Sequence, residues 1–307
     1  MALALRRESL QPRGRLGERL LLASMLAPYL IGLTLLVVVP AVAGFGLAFT
    51  DYNALNPPRF AGLANFRELI DDDIFRIAIA NSLLYIALAV PLRLLGALLT
   101  ALLLLRPARG VGLYRALVYL PTIIPDMAWA LIWLWILNPI YGPLNQTLAL
   151  AGIDGPSWMT DHTAARLAIV LMMSWQIGEG FVICLASLQD VPRDLLDQVA
   201  VDGGSPWRAF WAVTLPSIAP GLLILMFRDT VFSFQANFVP ALIVGRGGGP
   251  DYATTYLPMY IYNTAFGYLR FGYAAAMTLA MYLVTALVLW LQYRATVRWQ
   301  HGLRHAG

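Results

Sequence analysis

A run of 30 uncharged residues, Leu20 to Phe49, decides the solvent in which this chain folds. A helix rises about 1.5 Å per residue, so about 20 apolar residues cross the hydrocarbon core of a bilayer. The run exceeds the roughly 7–15 apolar residues of a signal peptide and lacks a persuasive cleavage site, so it is expected to persist as a first span. Five later segments qualify too, at about 76–105, 114–138, 164–188, 216–244 and 272–294. The whole sequence is 59% hydrophobic and 12% charged, against about 25% charged in soluble domains. In water such a chain would expose large apolar patches and aggregate. The expected fold is all-α, a polytopic membrane protein with about six transmembrane helices. No internal repeat or soluble domain stands out. The expected organisation is a tail over 1–19, one membrane domain over 20–294 and a second tail over 295–307.

Arginine orients the spans, because basic residues favour the cytoplasmic edge of a membrane. All 21 basic residues are arginine. Arg6, Arg7, Arg13, Arg15 and Arg19 precede the first span. Arg106, Arg109 and Arg115, then Arg193 and Arg208, then Arg294, Arg298 and Arg304 follow on the same side. The other side holds Arg59, Arg67, Arg246 and Arg270, with Arg76 and Arg166 at span edges, and the acidic run Asp71-Asp72-Asp73. Both termini and the 189–215 connection are therefore expected in the cytoplasm, with the chain multi-pass in a cell inner membrane. The connections on the other side carry turn signals: Asn56-Pro57-Pro58, Asn138-Pro139 and Gly247-Gly248-Gly249-Pro250.

The same residues exclude several functions. The net charge of +4 is accounted for by membrane-edge arginines, so lipid is the expected partner and nucleic acid is not. Cys184 is the lone cysteine, and His162, His301 and His305 have no metal-ligand spacing. Neither metal nor cofactor is expected, and no paired catalytic set lies near one interface, as a membrane enzyme needs. With no lysine, the chain cannot carry a Gly-x-x-x-x-Gly-Lys-[Ser/Thr] phosphate loop; it is expected to be non-catalytic. An ion-coupled transporter would favour paired broken helices in repeated halves, a repetition this sequence does not show.

The 189–215 connection carries the densest local signals. Pro192 suits a first helical turn and Asp194 favours the positive end of a helix dipole. Gly203-Gly204 suits the left-handed conformation that ends a helix. Ser205 is then an N-cap, with Pro206 at the first helical position. The pattern predicts two short helices meeting at a glycine corner, the second with an aromatic face of Trp207, Phe210 and Trp211. An ordinary amphipathic interfacial loop satisfies the same capping pattern.

The spacing in this connection resembles the EAA motif of ABC-importer permeases: Glu-Ala-Ala, three residues, Gly, nine residues, then Ile-x-Leu-Pro. Here Asp197-Gln198-Val199 stands at the first triplet, Asp202-Gly203 follows, and nine residues later comes Val213-Thr214-Leu215-Pro216. The triplet departs at all three positions, Asp197 keeping only the charge. Other segments are similar to sugar-importer permeases in the same order: Phe60-Ala61-Gly62-Leu63-Ala64-Asn65-Phe66, Leu120-Pro121, Ile124-Pro125, Trp133-x-Trp135, Asn138-Pro139, Tyr141 to Asn145, and Phe271-Gly272-Tyr273-Ala274. From Phe60 to the last span the chain resembles the maltose-type carbohydrate permeases. That resemblance implies a type I ABC importer permease fold and a non-catalytic subunit forming half of a translocation path. The implied partners are a second permease, a cytoplasmic ATPase dimer, an extracytoplasmic solute-binding protein and a carbohydrate substrate. It also implies a coupling loop in which Asp197, Asp202, Gly203, Gly204, Trp207, Phe210, Leu215 and Pro216 form the ATPase contact. A non-sugar solute, such as glycerol phosphate or a polyamine, is the alternative within that class.

Charge at bilayer depth is costly and usually faces protein or a water-filled cavity. Arg93, Asp126, Glu179, Arg228 and Asp229 fall within expected spans. The two arginines are expected to be structural, paired with the other charges at depth or with a second permease. Trp129, Trp133 and Trp135 are expected to pack or to anchor at the interface. Trp175, Glu179, Gln235 and Asn237 combine rings, amides and a carboxylate, as a sugar with apolar faces and polar rims requires. They are the candidates for lining a solute path, with packing as the other role open to Glu179, Gln235 and Asn237.

Overall fold

The computed structural model describes residues 15–305; Arg6, Arg7 and Arg13 of the N-terminal tail lie outside the described residues. Four helices are each long and apolar enough to cross a membrane: Gly17–Leu47, Asp73–Leu103, Pro206–Ile243 and Phe271–Arg298. Val111–Ile123 with Asp126–Ile136, and His162–Ser174 with Gly178–Gln189, qualify only as pairs and bend by 102° and 48°. Counted as one crossing each, the pairs make six spans, numbered here one to six in chain order.

Both bends have local causes. In span three, Pro125 has no N–H and drives Ile124 to an extended ψ of 127°, which ends the helix before it. Span four breaks at Trp175–Ile177 without a proline. There Gly178 lies so close to span three that an added Cβ would sit 2.3 Å from the Thr122 hydroxyl and 3.0 Å from the Tyr119 Cα. Small residues of this kind let membrane helices approach backbone to backbone.

Span two is the packing centre. Its Phe75, Tyr85, Ala89 and Val90 join one apolar cluster with Met172 and Met173 of span four and Met277 of span six. Nearer its other end, Ala97 and Ala101 join a second cluster with Phe181, Cys184 and Leu188 of span four and Ile218 and Leu225 of span five. Span one differs: none of its apolar window is buried by the rest of the chain, and Phe45 meets Tyr282 of span six edge-on at 5.8 Å.

The end of the bundle near Asp73 is more structured than its turn signals suggest. Thr50–Asp51 pairs antiparallel with Arg59–Phe60, and the buried Asn65 amide donates to the carbonyls of Ala48 (2.8 Å) and Thr50 (2.9 Å). Short helices occupy Ala64–Asp71, Pro143–Leu150 and Leu257–Tyr262. The Gly247–Pro250 turn is partly exposed, but the stretch 253–257 that follows it is buried. Asn81 of span two donates to the carbonyls of Tyr252 (2.8 Å) and Thr255 (2.9 Å), and the Ser82 hydroxyl accepts from Leu257 N–H at 3.1 Å. Those amide bonds satisfy backbone that would otherwise be orphaned at depth.

Candidate functional site

The glycine corner forms as the capping chemistry requires. Pro192 caps the helix Arg193–Val201. Gly203 then adopts φ +75°, while Gly204 N–H donates to Val199 O (2.8 Å) and Gly203 N–H to Ala200 O (3.1 Å). This is a Schellman C-cap, which satisfies two of the carbonyls a helix end leaves open. The Ser205 hydroxyl accepts from Arg208 N–H at 3.3 Å, with Pro206 opening the next helix. One expectation needs correction. The second helix is not short: it runs from Pro206 through a π turn at Phe210–Thr214 into span five as one helix ending at Ile243. Leu215-Pro216 follows the π turn, where a proline without N–H breaks the regular ladder.

Trp207, Phe210 and Trp211 pack on one another with ring centroids 5.5–6.2 Å apart, yet Trp207 is 70% and Trp211 50% exposed. Asp197, Asp202 and Gly203 are also exposed, and Gly204 and Phe210 are half-buried. The opposite side of the corner is seated: Leu196, Val213 and Leu215 pack against the cluster of Ala97, Ala101, Phe181 and Leu188. A solvent-facing aromatic and acidic surface is thus fixed to the ends of spans two, four and five.

A second polar centre lies inside the bundle, in a cavity of about 120 Å³ lined by Arg93, Thr122, Asp126, Glu179, Arg228 and Asp229 among others. Arg93, 3% exposed, meets Asp229 with Nε 3.5 Å from Oδ2 and donates to the Ser233 hydroxyl. Arg228 pairs with Glu179 across spans five and four, reaches Asp229 Oδ1 at 3.3 Å and lies 5.8 Å from the Phe232 ring centroid. Every charge at depth here except Asp126 has an opposite charge in contact, as a low-dielectric site requires.

The four residues read as a solute path are not gathered at one place. Glu179 lines the cavity. Trp175 caps the first half of span four and is 61% exposed, and Gln235 is exposed on span five. Asn237 is fully buried, with neither amide atom hydrogen-bonded, so it lines no open path in this conformation. Thr122, which sequence reasoning passed over, lines the cavity with an unpartnered buried hydroxyl; its only sequence signal was its position between Pro121 and Pro125. Trp129 and Trp133 are buried and packed edge-on at 5.8 Å, and Trp135 is exposed.

Comparison with known proteins adds a family. Residues 93–299 match the family model described as binding-protein-dependent transport system inner membrane component. The chain is 33% identical to the probable ABC transporter permease protein YesP of Bacillus subtilis, covering 91% of each chain. It is 31% identical to the sulfoquinovosyl glycerol transport system permease protein SmoG of Agrobacterium fabrum, covering 89% of each. Among solved structures, it superposes on a chain of a bacterial ABC transporter involved in import of the acidic polysaccharide alginate, with a TM-score of 0.77, 22% identity, and coverage of 92% of this chain and 96% of that one.

Proposed function

The chain belongs to the family of binding-protein-dependent transport system inner membrane components, and on that premise we propose that it is the permease subunit of an ATP-driven carbohydrate importer. It forms half of a translocation path with a second permease and receives its solute from an extracytoplasmic binding protein. A separate ATPase dimer docks on the 193–216 corner. The observation that carries this reading is the corner itself, whose aromatic and acidic face is exposed while its other side is seated on spans two and four. A face with Trp207 70% and Trp211 50% exposed is the composition of a protein-binding surface, where large aromatics anchor a partner.

The carbohydrate assignment draws on two similar proteins, one named for sulfoquinovosyl glycerol and one for alginate. The cavity of about 120 Å³ is smaller than the roughly 300–1,000 Å³ of small-molecule sites. A path built from this half and a second permease would widen it, with Glu179 and Thr122 on its wall. The arginine distribution argues for both termini and the corner in the cytoplasm.

The test is reconstitution of the chain with the second permease, ATPase and binding protein encoded beside it. Saccharide uptake into proteoliposomes should require ATP and the binding protein, and Trp207→Ala should lower uptake and solute-stimulated hydrolysis together. Uptake driven by an ion gradient without ATP would overturn the reading.

A further inference from the structure

At the end of the bundle opposite the corner, an open recess of about 580 Å³ is lined by Glu68, Asp72, Tyr260, Thr264, Tyr268 and Tyr273 together with Asp71 and Arg270. Five separate elements contribute to it. Glu68 and Asp71 come from the helix Ala64–Asp71, and Asp72 caps span two. Tyr260 lies on Leu257–Tyr262, Thr264 in the π turn Asn263–Gly267, and Tyr273 in the first turn of span six. Asp72 Oδ2 accepts from both the Tyr260 hydroxyl (2.7 Å) and the Tyr273 hydroxyl (2.6 Å). Arg270 grips Glu68 through two bonds of 2.7 and 2.6 Å, and its guanidinium stands 4.6 Å from the Tyr273 ring centroid. Just before Arg270 the chain turns at Leu269, at φ +56°.

One group in this recess has nothing to bond. Thr264 is 2% exposed and its hydroxyl has no hydrogen-bond partner, although its carbonyl accepts from Arg270 N–H at 3.0 Å. A buried hydroxyl without a partner is costly, and native structures keep few of them. Beside it, the Tyr260 and Tyr273 hydroxyls each spend their proton on Asp72 and keep lone pairs to accept from a ligand. Tyr268 is 69% exposed and offers a bare ring. A ring for an apolar face, fixed acceptors for hydroxyl rims and one free buried hydroxyl are the recognition set of a sugar ring. Three carboxylates against one guanidinium leave the recess with surplus negative charge. Among the described residues no group of three or more His, Cys, Asp or Glu is arranged to hold a metal ion, so that charge does not mark a metal site.

We propose that this recess is an outer landing site for an uncharged saccharide, separate from the cavity within the spans, and that it disfavours acidic sugars. The proposal rests on the carbohydrate-importer reading. It would hold solute between release from the binding protein and passage into the spans, and so would set the half-saturation of uptake more than its maximal rate.

The test uses the transporter assembled with its partner subunits in lipid nanodiscs, and ligand-observed NMR with maltotriose, cellotriose, mannotriose and trigalacturonate. At least one neutral trisaccharide should bind. Trigalacturonate should bind more weakly at low salt and gain affinity as salt screens the carboxylates. Tyr268→Ala should weaken neutral binding about tenfold. Thr264→Val should weaken it about three- to tenfold, the range of one hydrogen bond, while leaving thermal stability equal or higher, because it removes an unsatisfied buried hydroxyl. A structural role for Thr264 predicts the reverse, lower stability with unchanged binding, and overturns the proposal. No binding by any neutral trisaccharide, or a preference for trigalacturonate at low salt, also overturns it. If ATP-driven saccharide uptake itself fails, the functional reading falls. If uptake stands and both variants keep wild-type binding and half-saturation, only the landing site falls.

Discussion

Replacing Gly203 separates backbone strain from steric contact at the corner. Its φ is +75°, and a Cβ added there would meet nothing within 4 Å. A Cβ at 203 therefore clashes with no neighbour, and for alanine only the backbone conformation resists the change. An L-residue in the left-handed region costs roughly 1–2 kcal/mol, more when β-branched, while asparagine tolerates it. One or two kcal/mol is a factor of about 5–30 in the population of the corner. The alternative backbone gives up the bonds from Gly204 to Val199 and Gly203 to Ala200. If the corner transmits ATP-driven motion, uptake per ATP hydrolysed should follow Gly203→Asn, then Gly203→Ala, then Gly203→Val, with valine at about a tenth of wild type or lower. Gly204 gives the steric contrast: its added Cβ would sit 2.5 Å from Val199 Cγ1 and 2.8 Å from Val199 O, so Gly204→Ala should uncouple without any left-handed strain. Uptake and hydrolysis are measured in the same proteoliposomes at matched permease content. Equal ratios for Gly203→Asn and Gly203→Val would refute the reasoning, since the corner conformation would then not matter to transmission.

Three further outcomes follow from packing and charge. Asp229→Leu alone strands the buried Arg93 charge, at a cost of about 3–5 kcal/mol, and should lower the melting temperature in detergent, whereas Arg93→Met leaves Asp229 its contact with Arg228 and should cost less; adding Arg93→Met to Asp229→Leu should recover much of the loss, and additive losses would contradict the pairing. Asp72 is opposed by its own burial, but bonds from the Tyr273 and Tyr260 hydroxyls and the Phe75 and Ile74 N–H groups outweigh it and hold the carboxyl below its usual range. A depressed folded pKa means stability fully present above the unfolded value of about 3.9 and lost as pH falls through the folded one, so the advantage of wild type over Asp72→Asn in a melting series should vanish only below about pH 4; its disappearance near pH 6 would assign it to another group. Gly272→Ala would put a Cβ 2.0 Å from Thr50 O, whereas Gly112 has open space around it, so the first should reduce membrane yield and Gly112→Ala should not.

Apolar run length made the spans legible because it acts locally: a bilayer reads hydropathy one helix at a time. The Schellman corner was legible for the same reason, since Gly203, Ser205 and Pro206 act within one turn of the chain. The bend in span three was half-signalled by Pro121 and Pro125. The bend in span four was not signalled, because it depends on Gly178 meeting Thr122 and Tyr119, more than 50 residues away. The solute-path residues were chosen by side-chain type, and type does not say which face of a helix turns inward. Asn237 and Gln235 are two apart, and one is fully buried while the other is exposed. The recess at Asp72 was invisible for a related reason: its tyrosines lie about 190–200 positions along the chain from the carboxylate they hold.

The continuity of the fifth helix joins the two polar centres. Because the stretch after Ser205 continues into span five, the aromatic face at Trp207 and the charges at Arg228 and Asp229 lie on one helix, about 20 residues or roughly 30 Å apart. If the corner is the ATPase contact proposed above, a load on its exposed face would meet no loop: the helix leads it to Arg228 and the ion pair to Glu179 of span four, while Leu196 and Leu215 pack on the shared cluster of spans two and four. The π turn at Phe210–Thr214 and Pro220 are the compliant points on that route, since each interrupts the regular i→i−4 ladder. Rotation of the corner thus has two outlets, bending at those points or displacement of the charged cavity. Pro220→Ala stiffens the first and should pass more of the motion to the second. Raised uptake per ATP in that variant would support a lever, and a fall to the level of Gly203→Val would show that bending at Pro220 is itself a required step.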